Sequence, residues 1–318
     1  MSSKALIISG ATATGKTELS LRVSKSLASR GVKSAIINFD SLLFYKDLNI
    51  GVAKPSREDL EIVPHKMINL IDLSDSMDAS QYVKNATPIF KELLRSNYVP
   101  ILVGGSAFYL RAFIKGMYDS KKSSPDNLKE WNDIYEKKGI DPFIDFLQKE
   151  DPEIFNFIHH HDHYRVIRAF AHHKETGRSW REERVKIKNP YDFSNHRFSD
   201  VNFLHFYLQI PKDDHWSIIY KRAEKMIAEG LIDEVQSLVK HVADIHLQPL
   251  QSIGYKETLE YLNNDMEKRE LIEKIYVATR KLAKSQKTFF KKISPKVTVD
   301  PRFDKLKVLD NTFNFLFR

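Results

Sequence analysis

Eight residues near the amino terminus, Gly10-Ala-Thr-Ala-Thr-Gly15-Lys16-Thr17, restrict the fold more than any other stretch of the chain. This spacing of glycines followed by Lys-Thr makes a phosphate-binding loop when a buried strand precedes it and a helix follows. Lys4-Ala-Leu-Ile-Ile-Ser9 is such an apolar run, and Glu18 to Leu27 repeats apolar residues at helical spacing. In that setting the backbone N–H groups of Gly10, Ala11, Thr12, Ala13, Thr14 and Gly15 cradle a di- or triphosphate at a helix N-terminus. Lys16 neutralises phosphate oxygens, and the Thr17 hydroxyl ligates Mg²⁺, the expected cofactor. The loop names a ligand and leaves the reaction open. In most chains that carry it the terminal phosphoryl group is transferred or hydrolysed, so a small-molecule kinase or an NTPase is the first reading to beat.

The rest of the chain agrees with an α/β architecture. Ser34 to Asn38 reads as a second buried strand with Asp40 just past its carboxyl end, and Gly31 closes the helix before it. A helix from about Ala79 to Ser96 leads to Tyr98-Val-Pro-Ile-Leu-Val103, a third strand that ends at Gly104-Gly105, with Ala107 to Ile114 helical behind it. Strands alternating with helices predict a P-loop-type parallel sheet flanked by helices, whose ligands lie beyond the strand carboxyl ends. The polar stretch Ser120-Lys-Lys-Ser-Ser-Pro125 marks a lobe boundary. Residues 1–119 are expected to form the first part of the core, 120–200 a mainly helical insertion lobe, and 201–318 the remainder. That last part holds a return strand, Phe203 to Ile210, and long C-terminal helices, Asp213 to Glu229 and Glu267 to Phe290 among them.

Composition narrows the chemistry. With no cysteine, disulfides, thiolate zinc sites and cysteine nucleophiles are excluded, and oxygen and nitrogen side chains do the work. Fifty Lys and Arg against 42 Asp and Glu, a formal charge of +8, favour a polyanionic partner. No run approaches the length of a membrane span and Met1 to Ser9 lacks a signal pattern, so a soluble, cytoplasmic chain with no membrane partner is expected. A monomer is the expected state.

Asp40-Ser41 brings a carboxylate to the sheet edge, where it serves as general base, Mg²⁺ ligand or helix cap. Gly104-Gly105-Ser106 lets backbone approach a ligand and adds a hydroxyl. His159-His-His-Asp-His163 offers one i, i+4 pair, His159 and His163, and reads better as a solvated or phosphate-facing stretch than as a metal site. Phe143, Phe146, Phe155 and Phe157 read mostly as lobe core.

Taken in order, these segments resemble the signatures of the tRNA dimethylallyltransferase family. They are Gly10 to Thr17, Asp40-Ser41 with Tyr45, Asn49-Ile-Gly-Val-Ala-Lys-Pro55, Pro64-His65, and Leu102-Val-Gly-Gly-Ser106 with Tyr109. The likeness continues through Arg165-x-x-Arg168, Arg222-x-x-x-Met226-x-x-x-Gly230-Leu-x-x-Glu234-Val, Ser252-Ile-Gly-Tyr-Lys256 and Thr279-Arg280-x-Leu-Ala-Lys284-x-Gln286. It implies that dimethylallyl diphosphate occupies the loop, that its diphosphate is the leaving group, and that an adenosine N6 in a tRNA anticodon stem-loop, at position 37, is the acceptor.

The resemblance also implies residue roles. Asp40 takes the amine proton, with Ser106 and Arg222 completing the catalytic set around the departing diphosphate. Asp40, Ser41, Leu42, Leu43, Lys54, Arg165, Arg168, Lys256, Arg280, Lys284 and Gln286 contact tRNA, Gln286 by reading a base edge. Some residues depart from the family's usual choices: Ala11 for proline, Ser106 for threonine, Val52 for threonine, Ser285 for a basic residue, Phe289 for tryptophan and Ile218 for arginine. Ala11 and Ser106 keep the chemistry, whereas Val52, Ser285 and Ile218 each remove a polar contact. Prenylation of free AMP or ATP is the related alternative, and a binding module without catalysis the remote one. The Arg165 and Arg168 pair, the basic C-terminal helices and Tyr255-Lys256 favour a macromolecular acceptor over a mononucleotide.

Overall fold

The computed structural model describes residues 2–117, 123–185, 187–242 and 244–318, so Ser120 to Lys122, half of the polar stretch expected as a lobe boundary, lie outside the described residues. The chain divides into two compact units, residues 1–115 with 191–318, and residues 116–190. In the first unit, β1 (Ser3–Gly10) leads into α1 (Lys16–Ala28) and β2 (Ser34–Asn38), then α2 (Arg57–Ile62) and β3 (His65–Lys66). Next come α3 (Ala79–Arg95), β4 (Val99–Gly104) and α4 (Ala107–Lys115). The second unit contains α5 (Pro125–Lys138), α6 (Asp141–Glu150), α7 (His163–Thr176) and α8 (Trp180–Val185). The first unit resumes with β5 (Val201–Leu208), α9 (Lys212–Ala228), α10 (Leu231–His241), α11 (Tyr255–Asn263) and α12 (Lys268–Lys292), and closes with β6 (Val297–Val299) and α13 (Lys305–Phe317).

The sheet is parallel throughout, in the order β3-β2-β4-β1-β5-β6, which puts the phosphate-binding strand β1 between β4 and β5. Both faces are covered, so its strands read as continuous apolar runs rather than alternating ones. Successive residues of β1 enter opposite layers. Ala5 and Ile7 pack with Tyr82, Phe90 and Phe113 from α3 and α4 and with Phe290 of α12, while Leu6 and Ile8 pack with Leu19, Val23 and Leu27 of α1 and Val308 of α13. A third cluster joins Leu48 to Met226, Leu231, Tyr255 and Ile275 of α9 to α12.

The chain re-enters the first unit at Tyr191, ten residues earlier than the sequence pattern implied. Phe193 and Phe198 sit in the sheet's apolar layer, and Asp192 forms a β-bridge with Ser294. The second unit has its own core of Trp131, Phe143, Leu147, Val166 and Phe170, with Phe146 and Phe155 partly buried against it and Phe157 half exposed. The histidine run forms the turn before α7: Asp162 caps that helix by accepting the Arg165 N–H, His160 stacks on Phe155, and His163 is paired with the Tyr135 hydroxyl at 2.8 Å. Among the described residues, no helix is long and apolar enough to cross a membrane.

Candidate active site

The phosphate-binding loop leaves β1 at Gly10 and enters α1 at Lys16. A Cβ at Gly10 would meet the Leu208 carbonyl of β5 at 2.9 Å, and Gly15 has φ +79°, so the turn needs glycine at both ends. The Thr14 hydroxyl and the Lys16 ammonium both donate to the Ala11 carbonyl at 2.8 Å. Three residues far away in sequence hold the loop from outside. The Gln286 side-chain carbonyl accepts the Thr12 N–H at 2.8 Å, His215 Nε2–H donates to the Thr12 carbonyl at 2.9 Å, and Trp216 packs against Ala11 and Ala13. Burial pushes His215 down to about 4, which keeps its imidazole neutral, and the carbonyl it faces selects the tautomer with the proton on Nε2.

Asp40 is set just beyond β2 by a reciprocal tie with Asn38. Its N–H donates to Asn38 Oδ1 at 2.8 Å, and the Asn38 amide donates to the carbonyls of Asp40 and Met67. The Asp40 carboxylate caps the 3₁₀ turn Ser41–Phe44 with only a 3.4 Å contact to the Leu42 N–H, which leaves most of its accepting capacity for a ligand. Lys16 and Arg222, the latter on α9, are its electrostatic partners. Desolvation lowers Lys16 to about 8, with Asp40 opposing the shift and Arg222 adding to it. Desolvation likewise lowers Arg222, again against Asp40.

Two cavities adjoin here. One, about 340 Å³, is lined by Ser41, Leu42, Ser106 and the apolar side chains of Ile219, Met226 and Ile275. The other, about 110 Å³, is lined by Lys16, Thr17, Asn38 and Leu43. Thr12, Asp40, Val52 and Arg222 border both. The arrangement is therefore a small compartment of mixed lining beside the phosphate-binding loop, meeting a larger and more apolar one at one carboxylate and one guanidinium. A phosphorylated end fits the first and a planar or aliphatic group the second.

The residues expected on the RNA face are placed as follows. Lys54 donates to the Tyr45 carbonyl at 3.0 Å and the Lys46 carbonyl at 2.7 Å, and burial lowers its pKa, so its charge is spent fixing its own loop. Gln286 engages the Thr12 N–H and the Gly105 carbonyl, the latter at 3.0 Å, while also lining the larger cavity. Tyr255 is wholly buried, its hydroxyl 2.5 Å from Glu234. Arg280 lies over the rings of Trp216 and Tyr276 at about 5 Å. Lys256 and Lys284 are exposed on α11 and α12, and Arg165 and Arg168 are exposed on α7 of the second unit. Sequence reasoning missed His215, Trp216 and the apolar wall of Ile219 and Ile275. A His-Trp pair at the start of a helix carries no motif, and the wall residues read as ordinary helix core.

The fold is a P-loop-type α/β sheet with two adjoining cavities beside its phosphate-binding-loop motif. The chain belongs to the IPP transferase family, whose model matches residues 43–293, and is a transferase. It is 32% identical over 291 residues to the tRNA dimethylallyltransferase 1 of Citrifermentans bemidjiense, covering 91% of this chain and 89% of that one. The structure is similar to a tRNA isopentenylpyrophosphate transferase from Bacillus halodurans, with a TM-score of 0.67, 27% identity and coverage of 100% and 97% of the two chains. A eukaryotic dimethylallyltransferase acting on tRNA shares the fold, with a TM-score of 0.78 at 23% identity over 98% of this chain and 78% of that one.

Proposed function

We propose that this transferase moves a dimethylallyl group from dimethylallyl diphosphate to N6 of the adenosine at position 37 of tRNA, next to the anticodon, releasing diphosphate. The observation that carries the reading is the shared border of the two cavities. Asp40 and Arg222 border both cavities, which supports a diphosphate over Lys16 meeting a base in the larger one. The donor's C–O bond breaks as the N–C bond forms. Lys16 and Arg222 stabilise charge growing on the diphosphate, and Ser106 offers a hydroxyl at the chamber wall. The exocyclic amine is a weak nucleophile because its lone pair is delocalised into the ring, so Asp40 accepts its proton during bond formation. Ile219, Met226 and Ile275 exclude water from the electron-poor allyl carbon. The adenosine must leave its stack to enter, which an anticodon loop in the cytoplasm permits at modest cost.

Magnesium fits this site as a partner of the diphosphate. Thr17 is exposed beside Asn38 and Asp40, an all-oxygen donor set, and no cluster of three His, Asp or Glu able to hold a metal occurs among the described residues. Thr17 would hold the ion, which when bound would neutralise charge on the leaving group. Incubation with labelled dimethylallyl diphosphate and bulk tRNA, followed by nucleoside analysis, tests the reading. Label in N6-dimethylallyladenosine supports it, and label confined to hydrolysed alcohol contradicts it.

A further inference from the structure

Gln286 is half-buried in the middle of α12, on the turn between Ala283 and Phe290, both fully buried. Its one amide reaches two loops from different strands. The side-chain oxygen accepts the Thr12 N–H of the phosphate-binding loop at 2.8 Å, and the side-chain nitrogen donates to the Gly105 carbonyl after β4 at 3.0 Å. The fit at Gly105 is close: a Cβ there would lie 2.8 Å from the Gln286 nitrogen and 3.5 Å from the Asp40 carboxylate. The residue after Gly105 is Ser106, which with Gln286 and Asp40 lines the larger cavity. One side chain thus sets the spacing between the loop that holds the phosphorylated end and the turn that carries Ser106.

We infer that Gln286 is a positioning residue that locks the phosphate-binding loop to the Gly105-Ser106 turn, and does not read RNA. This rests on the proposed transfer reaction for its turnover readout but not for its binding readout. Without Gln286 the Thr12 N–H and the Gly105 carbonyl lose partners inside a part-buried site, and the two loops lose the tie that joins them beyond the last strand pair, Ser9–Gly104. The donor end of the reaction suffers and RNA affinity does not. Gln286→Glu keeps the acceptor for Thr12 while losing the donor to Gly105, so it retains half of the lock. Gln286→Met keeps the volume and loses both bonds.

The test measures three quantities for the intact chain and both variants: inorganic pyrophosphate affinity with Mg²⁺ by calorimetry, anticodon stem-loop affinity without donor, and single-turnover transfer at saturating substrates. Melting temperature reports whether each variant folds. The expected result is pyrophosphate affinity weakened on the order of tenfold in Gln286→Met and less in Gln286→Glu, slower single-turnover transfer in the same order, and stem-loop affinity within about twofold of the parent. Stem-loop affinity lost in both variants with pyrophosphate affinity unchanged overturns the inference and returns Gln286 to the RNA face. If Gln286→Met does not fold, Gln286→Glu decides alone by the same split between pyrophosphate and stem-loop. Should the parent transfer nothing to tRNA, the pyrophosphate comparison still decides for or against the lock.

Discussion

Lys16 faces opposed demands: it must carry charge to meet a diphosphate, yet its surroundings desolvate it and hold its pKa at about 8. In the free enzyme its proton is therefore lost as pH rises through about 8, and kcat/KM for the donor should fall through that range. Lys16→Arg, whose guanidinium stays charged, should flatten the alkaline limb while lowering the plateau. A limb that persists in Lys16→Arg assigns it to another group. Asp40 makes a second prediction. Its contact to Leu42 is too long for a strong cap, so Asp40→Asn should slow single-turnover transfer by roughly 10² to 10⁴ with both substrates still bound. A lowered melting temperature with normal chemistry would instead make Asp40 a structural cap. The sequence could single out Lys16, Asp40 and Arg222 because motif spacing marks where a side chain starts, and the structure gathers the three around the adjoining cavities. Spacing does not tell where a long side chain ends, so the inward turn of the Lys54 and Gln286 polar ends to backbone groups was not legible.

At the scale of elements, the channel wall is a loop held by a carboxylate. Glu234 of α10 accepts the N–H of Asn49 at 3.1 Å and of Ile50 at 2.7 Å, and the Tyr255 hydroxyl of α11 joins them. This clamp seats Gly51 on the Tyr255 ring and Val52 in both cavities. A Cβ at Gly51 would overlap that ring, so Gly51→Ala should destabilise the chain by roughly 1–3 kcal/mol and raise KM for the acceptor. Urea unfolding checks the first effect and steady-state kinetics the second; an unchanged midpoint means the loop is not seated as described. The motif containing Glu234 was visible in sequence, but its partner loop was not, because 184 residues separate Glu234 from Ile50. The long amphipathic helices and buried strands were read to within a few residues. β3 and β6 were missed because strands of two and three residues are too short to show a period.

For the whole molecule, sheet parallelism and the site at the strand carboxyl ends followed from strand-helix alternation alone, whereas the return point at Tyr191 depended on Phe193 and Phe198 joining the sheet's apolar layer. The nature of the acceptor is a property at this scale too, because the exposed cations Lys256 and Lys284 lie on α11 and α12 of the first unit, and Arg165 and Arg168 on α7 of the second. None of these four lines either cavity of the candidate site. A polyanionic acceptor that engages such residues must release counterions, so its affinity should fall steeply with salt, and neutralising Arg168 or Lys284 should flatten the slope by about one unit each. A mononucleotide has too few phosphates for such a slope. The most direct measurement is therefore the rate of dimethylallyl transfer to an anticodon stem-loop, to AMP and to ATP at matched concentration across a salt series. The account predicts preferential, salt-sensitive transfer to the stem-loop; faster transfer to AMP or ATP, with stem-loop transfer slow and indifferent to salt, would contradict it.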